Sequence, residues 1–238
     1  MHQQLEKIKK LESKPRVLRN FFNSNEIKKV LELYNELPTT VNNVKQKVIK
    51  KRWLSGYGKD LEILFKEKLE NEIGSFKMDN LTTEDKKECF GLFQESINPL
   101  KLHVDAGFNL SDLIYKQTLV PLSKFGQTII FKNRFYGFST NFTVNKEDLL
   151  ENNPDAFKKG KNIRSSEHLN MYQDKPFSQV DYDKYLKHED IKNLIGLELE
   201  FVYEWNLGDL LIFDRTNLHC SSCNIEGKKI GLTTFTKK

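Results

Sequence analysis

The sequence predicts a mainly β fold with flanking helices, of the α+β class, in which antiparallel strands form a sandwich or a barrel. Three observations predict it. Apolar residues recur at helical spacing in two segments of the first third of the chain. From about residue 88 the pattern changes to short segments that alternate or are rich in β-branched residues. Gly, Pro and Asn separate these segments, as is typical of antiparallel β proteins.

The length and composition predict one folded domain over residues 1–238. A hydrophobic fraction of 38% over 238 residues is enough for a single core. The 38 Lys and Arg residues exceed the 33 Asp and Glu residues, and the resulting net charge of +5 is spread along the chain, which does not favour a nucleic-acid partner. The longest apolar runs fall short of the ~18 residues that a membrane span requires.

The cysteines and the first residues predict the compartment. Three cysteines do not make a disulfide framework, and the N-terminal residues lack the basic-then-apolar order of a signal peptide. We therefore expect a cytoplasmic protein with reduced thiols and no membrane span. Cys220-x-x-Cys223 offers only half of a zinc site, with Cys89 as the one further cysteine. The sequence does not set the oligomeric state.

The N-terminal elements are expected to be mostly helical. After a polar leader, residues 16–22 are typical of a short strand. A helix is predicted from Ser24, a good N-cap residue, to the break at Pro38. A second amphipathic helix is predicted over residues 60–73. We group residues 1–87 as a helical N-terminal support.

The β region is expected to form the core, over about residues 88–144 and 194–238. Its predicted strands are residues 89–93, 101–104, 115–122, 128–131, 197–205, 209–213 and 230–235. Residues 145–193 are charged, irregular and too long for an ordinary loop, with a helix possible at 181–186. We interpret this stretch as an insertion or lid carried by the β core.

A metal site is predicted from two separated segments. His103-Val104-Asp105 ends a predicted strand, and side chains two residues apart on a strand share a face. His219, which follows another predicted strand, is the candidate third ligand. Two His and one carboxylate with three open positions suit non-haem Fe(II) and O₂ chemistry. The H-x-D fragment alone is weak, because a His at a strand end is more often simply hydrogen-bonded.

The order of an H-x-D, a strand-end His and a cation ten residues later, at Lys229, resembles the Fe(II)- and 2-oxoglutarate-dependent oxygenase superfamily. Its prolyl 4-hydroxylase-like and phytanoyl-CoA dioxygenase-like branches are the most similar. Residues 16–26 are also similar to the opening of many members, and residues 126–131 to their G-x-T strand. The resemblance implies a double-stranded β-helix, or jelly roll. It further implies Fe(II), 2-oxoglutarate and O₂ as cofactors, with His103, Asp105 and His219 as the catalytic metal ligands.

The same resemblance implies hydroxylation of a small-molecule substrate with release of succinate and CO₂. Lys229 would anchor the distal carboxylate of 2-oxoglutarate, although Arg is more common there and Lys provides only a point charge. Lys228 is the competing candidate, since adjacent strand residues face opposite ways. Tyr115 and Gln117, which would share a strand face, are candidates for cosubstrate binding, and Thr128 is a weaker one. The alternative is that these are ordinary sheet residues.

Residues 131–142 interleave cations and aromatic residues. Arg134 is a candidate to pair with an anionic substrate group, with Tyr136 or Phe138 packing on the substrate. The alternative is an aromatic-rich strand that covers the core. Two other functions stay open from the sequence. One is a cupin-like metal enzyme that does not use 2-oxoglutarate, and the other is a non-catalytic basic binding module.

Overall fold

The computed structural model describes residues 2–79, 87–105, 113–137, 140–142 and 175–238. Its longer helices are α1 (His2–Lys10), α2 (Ser24–Glu36) and α3 (Lys59–Ile73). In chain order the strands are β1 (Arg16–Leu18), β2 (Thr39–Asn43), β3 (Val48–Leu54), β4 (Lys77–Met78), β5 (Cys89–Ser96), β6 (His103–Val104), β7 (Ile114–Pro121), β8 (Gln127–Arg134), β9 (Thr140–Asn141), β10 (Leu199–Glu204), β11 (Leu210–Asp214), β12 (Asn217–Ser221) and β13 (Lys229–Lys237).

The strands form two antiparallel sheets. The large sheet has the order β1-β11-β7-β13-β5-β3-β2, with β4 paired to β13, and the small sheet has the order β10-β8-β12-β6-β9. Chain neighbours such as β7 and β8 lie in different sheets, so the chain crosses repeatedly between the two layers. This winding is the double-stranded β-helix that the sequence resemblance implied.

Helices α2 and α3 cover the outer face of the large sheet. A capping box begins α2, in which the Asn23 side chain accepts from the Glu26 backbone N–H and the Glu26 carboxylate accepts from the Asn23 N–H. Trp53 of β3 and Phe65 of α3 are fully buried, with ring centroids 5.4 Å apart. Because this face is filled by helices, the opposite face of the large sheet is left to meet the small sheet.

The space between the sheets is apolar in one part and polar in another. One buried cluster joins both sheets and consists of Leu119, Ile130, Tyr203, Leu211 and Phe213. Buried polar side chains occupy other inner positions, among them Gln117, His219 and Lys229. Buried polar groups need partners, so the polar part is the place to look for a site.

Residues 1–87 are not simply a helical support, as the sequence had suggested. They contribute β1 to β4 to the large sheet, and the polar leader forms α1. The strand β3 was missed because Lys50, Lys51 and Arg52 hide its apolar alternation. The strand β12, expected as a loop, was missed for a similar reason, since His219 and Ser221 are polar although buried. The N-cap of α2 is Asn23 rather than Ser24.

The predicted insertion is described only from residue 175 onward; residues 143–174 lie outside the described part. A helical turn, Gln179–Asp181, continues into a π-helix, Tyr182–Leu186, and a 3₁₀ helix follows at Ile191–Leu194. These segments pack on the small sheet through Leu186 and Leu194, which are fully buried. A lid function therefore stays a prediction. No helix within the described ranges combines the length and hydropathy of a membrane span.

Candidate metal centre

Strand pairing brings the two predicted histidines together. His103 of β6 lies directly opposite His219 of β12, and their ring centroids are 4.2 Å apart. Asp105 follows β6, and its Oδ2 atom lies 3.6 Å from Nε2 of His103 and 3.4 Å from Nε2 of His219. One ligand atom from each of the three residues lies within 4.8 Å of the others. No other group of metal ligands of this kind occurs among the described residues.

Backbone carbonyls fix the orientation of both imidazoles. The His103 Nδ1 atom is 2.7 Å from the Lys101 carbonyl oxygen, and the His219 Nδ1 atom is 3.0 Å from the Asn217 carbonyl oxygen. A carbonyl oxygen can only accept, so Nδ1 carries the proton on each ring. The Nε2 lone pairs are therefore free to bind a metal, which is the arrangement expected around metal-ligating His.

The three ligands also control one another's charge. Burial would raise the pKa of Asp105, but His103 and His219 outweigh it and hold that pKa well below its usual range. Burial lowers the pKa of His219, and His103 lowers it further. For His103 burial also acts to lower the pKa, yet Asp105 raises it overall. The carboxylate is therefore ionised and His219 neutral, which are the forms that a metal ion requires.

Gln117 of β7 lies against this group, whereas Tyr115 does not. The Gln117 Nε2 atom donates to Asp105 Oδ2 at 3.0 Å, and its Oε1 atom is buried without a partner among the described residues. The Tyr115 hydroxyl instead donates to the Ile73 carbonyl at the end of α3, at 2.7 Å. The expected common face is therefore wrong. The pairing of β7 with β13 shifts register beside Tyr115, and such a shift breaks the strand alternation.

Of the two neighbouring lysines at the start of β13, Lys229 points inward. It is 3% exposed, its Nζ atom donates to the Ser221 Oγ atom, and it lies 5.5 Å from the centre of the Trp205 ring. No carboxylate of the described residues pairs with it, and burial lowers its pKa to about 8. The Lys228 side chain is exposed and lies 3.2 Å from Glu95.

Hydroxyl groups complete the surroundings of Lys229. Ser96 lies directly opposite Lys229 across β5 and β13, is fully buried, and has an Oγ atom with no partner among the described residues. Thr128 lies opposite Ser221 and accepts from Trp205 Nε1 at 2.9 Å. A buried cation with free hydroxyls and an indole wall is suited to a carboxylate. Sequence reasoning missed Ser96, because the predicted strand stopped at residue 93, and it gave no role to Ser221 or Trp205.

The structure does not bring Arg134 and Tyr136 to the three ligands. Arg134 pairs with Asp214 at 2.8 Å and also lies 3.5 Å from Glu12, while the Tyr136 hydroxyl donates to Glu12 at 2.8 Å. These contacts fasten the segment after α1 to the β core. Phe138 lies outside the described residues.

The cysteines take no part in the group of metal ligands. Cys220 is buried in the apolar cluster between the small sheet and the segments after residue 175. Burial raises the pKa of its thiol well above the usual value. Cys223 is half-buried, and all three cysteines are free thiols. The half zinc site suggested by the sequence is not completed by other described residues.

Solved structures with very different sequences share this architecture. A 2OG-Fe(II) oxygenase family oxidoreductase from Burkholderia pseudomallei matches with a TM-score of 0.51 at 8% identity, over 98% of this chain and 89% of that one. HygX from Streptomyces hygroscopicus, solved with nickel and 2-oxoglutarate bound, gives 0.50 at 15% identity, over 100% of this chain and 86% of that one.

SnoK, a non-heme alpha-ketoglutarate-dependent carbocyclase from nogalamycin biosynthesis, gives a TM-score of 0.53 at 9% identity, over 98% of this chain and 83% of that one. No protein-family model and no curated protein sequence matches the chain. At such low identity a structural likeness speaks for the architecture and not for the reaction. The chain has the double-stranded β-helix fold found in 2OG-Fe(II) oxygenase structures.

Proposed function

We propose that this protein is an Fe(II)- and 2-oxoglutarate-dependent oxygenase that hydroxylates a small molecule and releases succinate and CO₂. One observation carries the proposal. His103 and His219 face each other across paired strands beside Asp105, while Lys229 starts a strand of the facing sheet with its charge buried and unpaired among the described residues. These residues support a metal centre on the inner face of one sheet and a carboxylate pocket on the inner face of the other.

The donor set suits Fe(II). Two neutral imidazoles and one carboxylate occupy one side of a metal and leave three positions open. Bound Fe(II) and 2-oxoglutarate would supply the oxidising chemistry for a C–H bond with O₂ as the oxidant, while the protein supplies binding and orientation. The Lys101 and Asn217 carbonyls hold both rings with Nε2 toward the site. Gln117 holds Asp105 Oδ2 by a hydrogen bond, so the carboxylate is oriented before a metal binds.

The pocket at Lys229 suits the distal carboxylate of 2-oxoglutarate. A buried ammonium without an anionic partner is costly, and a bound carboxylate would supply that partner. Ser221 accepts the Lys229 hydrogen bond and keeps its own proton to donate. Ser96, with no other partner among the described residues, supplies a second hydroxyl on the same face. Trp205 and Thr128 close one side of this pocket.

The test is an anaerobic titration of the protein with Fe(II) and then 2-oxoglutarate, following the visible charge-transfer band of the chelated iron. We expect the band in the wild type and a loss of iron binding in His103→Ala and His219→Ala. Lys229→Ala should weaken 2-oxoglutarate binding by about tenfold or more, because a charge-assisted hydrogen bond is lost. Lys228→Ala is the matched control and should stay within about twofold.

Two results would contradict the proposal. Iron binding with no response to 2-oxoglutarate would favour the cupin-like alternative, and succinate production that survives loss of both histidines would exclude the assigned ligands. Equal effects of Lys228→Ala and Lys229→Ala would show that overall charge, rather than a built pocket, governs cosubstrate binding.

A further inference from the structure

Strand β3 places two cations on the inner face of the large sheet. Lys50 lies opposite Gln94 of β5, and Arg52 lies opposite Leu92. On the same strand β5, Ser96 lies two residues beyond Gln94 and opposite Lys229. Side chains at alternate positions of paired strands share a face, so Lys50 and Arg52 face the same interior as Lys229. The intervening residue of β3, Lys51, faces the other way.

The charge of Lys50 acts on two of the candidate metal ligands, Asp105 and His103. Burial lowers the pKa of Lys50, while the charge of Asp105 acts in the opposite direction and that of Arg52 adds to the lowering. The charge of Lys50 in turn acts on His103. Lys50 therefore lies within the electrostatic field of the metal ligands, and Arg52 lies beside Lys50.

Neither cation has a hydrogen-bond or ion-pair partner among the described residues. Within the described ranges, the side chains of Lys50 and Arg52 make no hydrogen bond and no ion pair, although both are half-buried. Lys51 shows the contrast, since its Nζ atom donates to the Tyr34 carbonyl at 2.7 Å and lies over the Tyr34 ring. Burying a charge has a free-energy cost that a partner offsets, and no described residue supplies that partner for the half-buried Lys50 and Arg52. An anionic ligand would supply it.

The charge balance of the site indicates the sign of that ligand. A divalent metal with Asp105 and dianionic 2-oxoglutarate leaves one negative charge, and Lys229 neutralises it. Lys50 and Arg52 then remain as two further positive charges on the inner face of the large sheet. Half-buried cations that lack an anionic partner attract an anion.

We propose that Lys50 and Arg52 bind an anionic group of the substrate, a carboxylate or a phosphate, and hold the substrate against the metal centre. This inference rests on the proposed function and names its substrate class. Arg52 offers a planar fork that binds two oxygen atoms of one group, and Lys50 adds a point charge. Lys50 and Arg52 thus take the place of Arg134 as the candidate residues for binding an anionic substrate group, because the charge of Arg134 is already paired with Asp214 and Glu12.

The first measurement uses inorganic phosphate as the probe and needs no metal. Phosphorus NMR line broadening gives the phosphate affinity of the metal-free wild type, Lys50→Met and Arg52→Met. Each variant should bind phosphate about tenfold more weakly or worse, because a charge-assisted contact is lost. Lys51→Met, which removes the same charge from the same strand on the opposite face, should change the affinity by less than about twofold. Lys50→Arg should keep most of it.

The second measurement places the phosphate. With Mn(II) at the three ligands and 2-oxoglutarate present, the metal should shorten the phosphorus relaxation time in the wild type. The double variant Lys50→Met/Arg52→Met should lose this effect, while a separate anaerobic titration of the same variant with Fe(II) and 2-oxoglutarate should still give the charge-transfer band and so show that the metal site is intact. Acetate is titrated as a competitor. Strong competition assigns a carboxylate-bearing substrate, and weak competition assigns a phosphate-bearing one; both outcomes support the pair as an anion site.

The inference is overturned if the wild type does not bind phosphate in a saturable way, or if Lys51→Met weakens binding as much as Lys50→Met. It is also overturned if the relaxation effect persists in the double variant, since the metal alone would then hold the anion. A protein that binds phosphate through Lys50 and Arg52 but gives no 2-oxoglutarate band would instead contradict the proposed function, so the two failures are distinguishable.

Discussion

Replacing Lys229 by Met should make the metal-free protein more stable at neutral pH, although it removes the proposed cosubstrate anchor. Burial lowers the pKa of Lys229 from 10.5 to about 8. At about 1.4 kcal/mol for each tenfold change in proton affinity, the charged form is disfavoured by roughly 3 kcal/mol in the folded protein. Ser221 loses a donor in the variant, which costs about 1 kcal/mol. We therefore expect a net gain of about 2 kcal/mol in the free energy of unfolding.

The gain should depend on pH in a defined direction. Below about pH 8 Lys229 is protonated in both the folded and the unfolded chain, so the wild type carries the whole penalty. From about pH 8 to 10.5 the unfolded chain binds more protons than the folded one, and wild-type stability rises with pH. Met does not titrate. The advantage of Lys229→Met should therefore shrink through this window and disappear at its upper end.

Urea denaturation at about pH 7 and about pH 10, followed by Trp fluorescence, measures this difference for Lys229→Met and for the exposed control Lys228→Met. Groups that titrate in all three proteins cancel in the comparison. Saturating Mn(II) and 2-oxoglutarate should stabilise the wild type much more than Lys229→Met. A variant that is less stable than the wild type at pH 7, or a difference that is the same at both pH values, would refute the reasoning.

Two further predictions concern the helical layer and the metal ligands. Trp53→Ala should lower the free energy of unfolding by about 3–5 kcal/mol, since this fully buried side chain packs on Phe65 and Phe90; a loss below about 1 kcal/mol in urea denaturation would contradict that packing. Mn(II) affinity should fall as the pH is lowered and should begin to do so above about pH 6.5, because Asp105 raises the pKa of His103 despite its burial and protons compete with the metal. Titration by electron paramagnetic resonance checks this, and an affinity that stays constant down to about pH 5.5 would speak against His103 as a ligand.

The candidate metal ligands were predictable because their signal is local and ordered. An H-x-D at a strand end fixes two side chains on one face, and Lys229 follows His219 at a spacing that the strand pairing preserves. The confirmed β-helix fold then explains how segments more than a hundred residues apart meet. Strand alternation allows only one of Lys228 and Lys229 to face inward, and the spacing from His219 favoured Lys229, which the structure shows to be the buried one.

The remaining features depend on contacts that no short stretch of sequence contains. The inward cations of β3 hid that strand, since a polar inner face removes the apolar alternation on which strand prediction rests. The position of Tyr115 depends on a register shift between β7 and β13. Arg134 forms an ion pair with Glu12, which lies far away in the sequence. Polar residues on an inner sheet face and contacts between distant segments therefore made these parts of the structure harder to predict.

The position of β13 has a consequence for biosynthesis. It lies between β5 and β7 in the large sheet, yet it is the last strand of the described chain to be synthesised. Until it emerges, β5 with β3 and β2 cannot be joined to β7 with β11 and β1, and Lys229 is absent. The position between β5 and β7 therefore stays empty during synthesis, and the unpaired edges of these two strands can associate with other chains. The proposed pocket at Lys229 therefore joins the candidate metal ligands only after β13 has been translated.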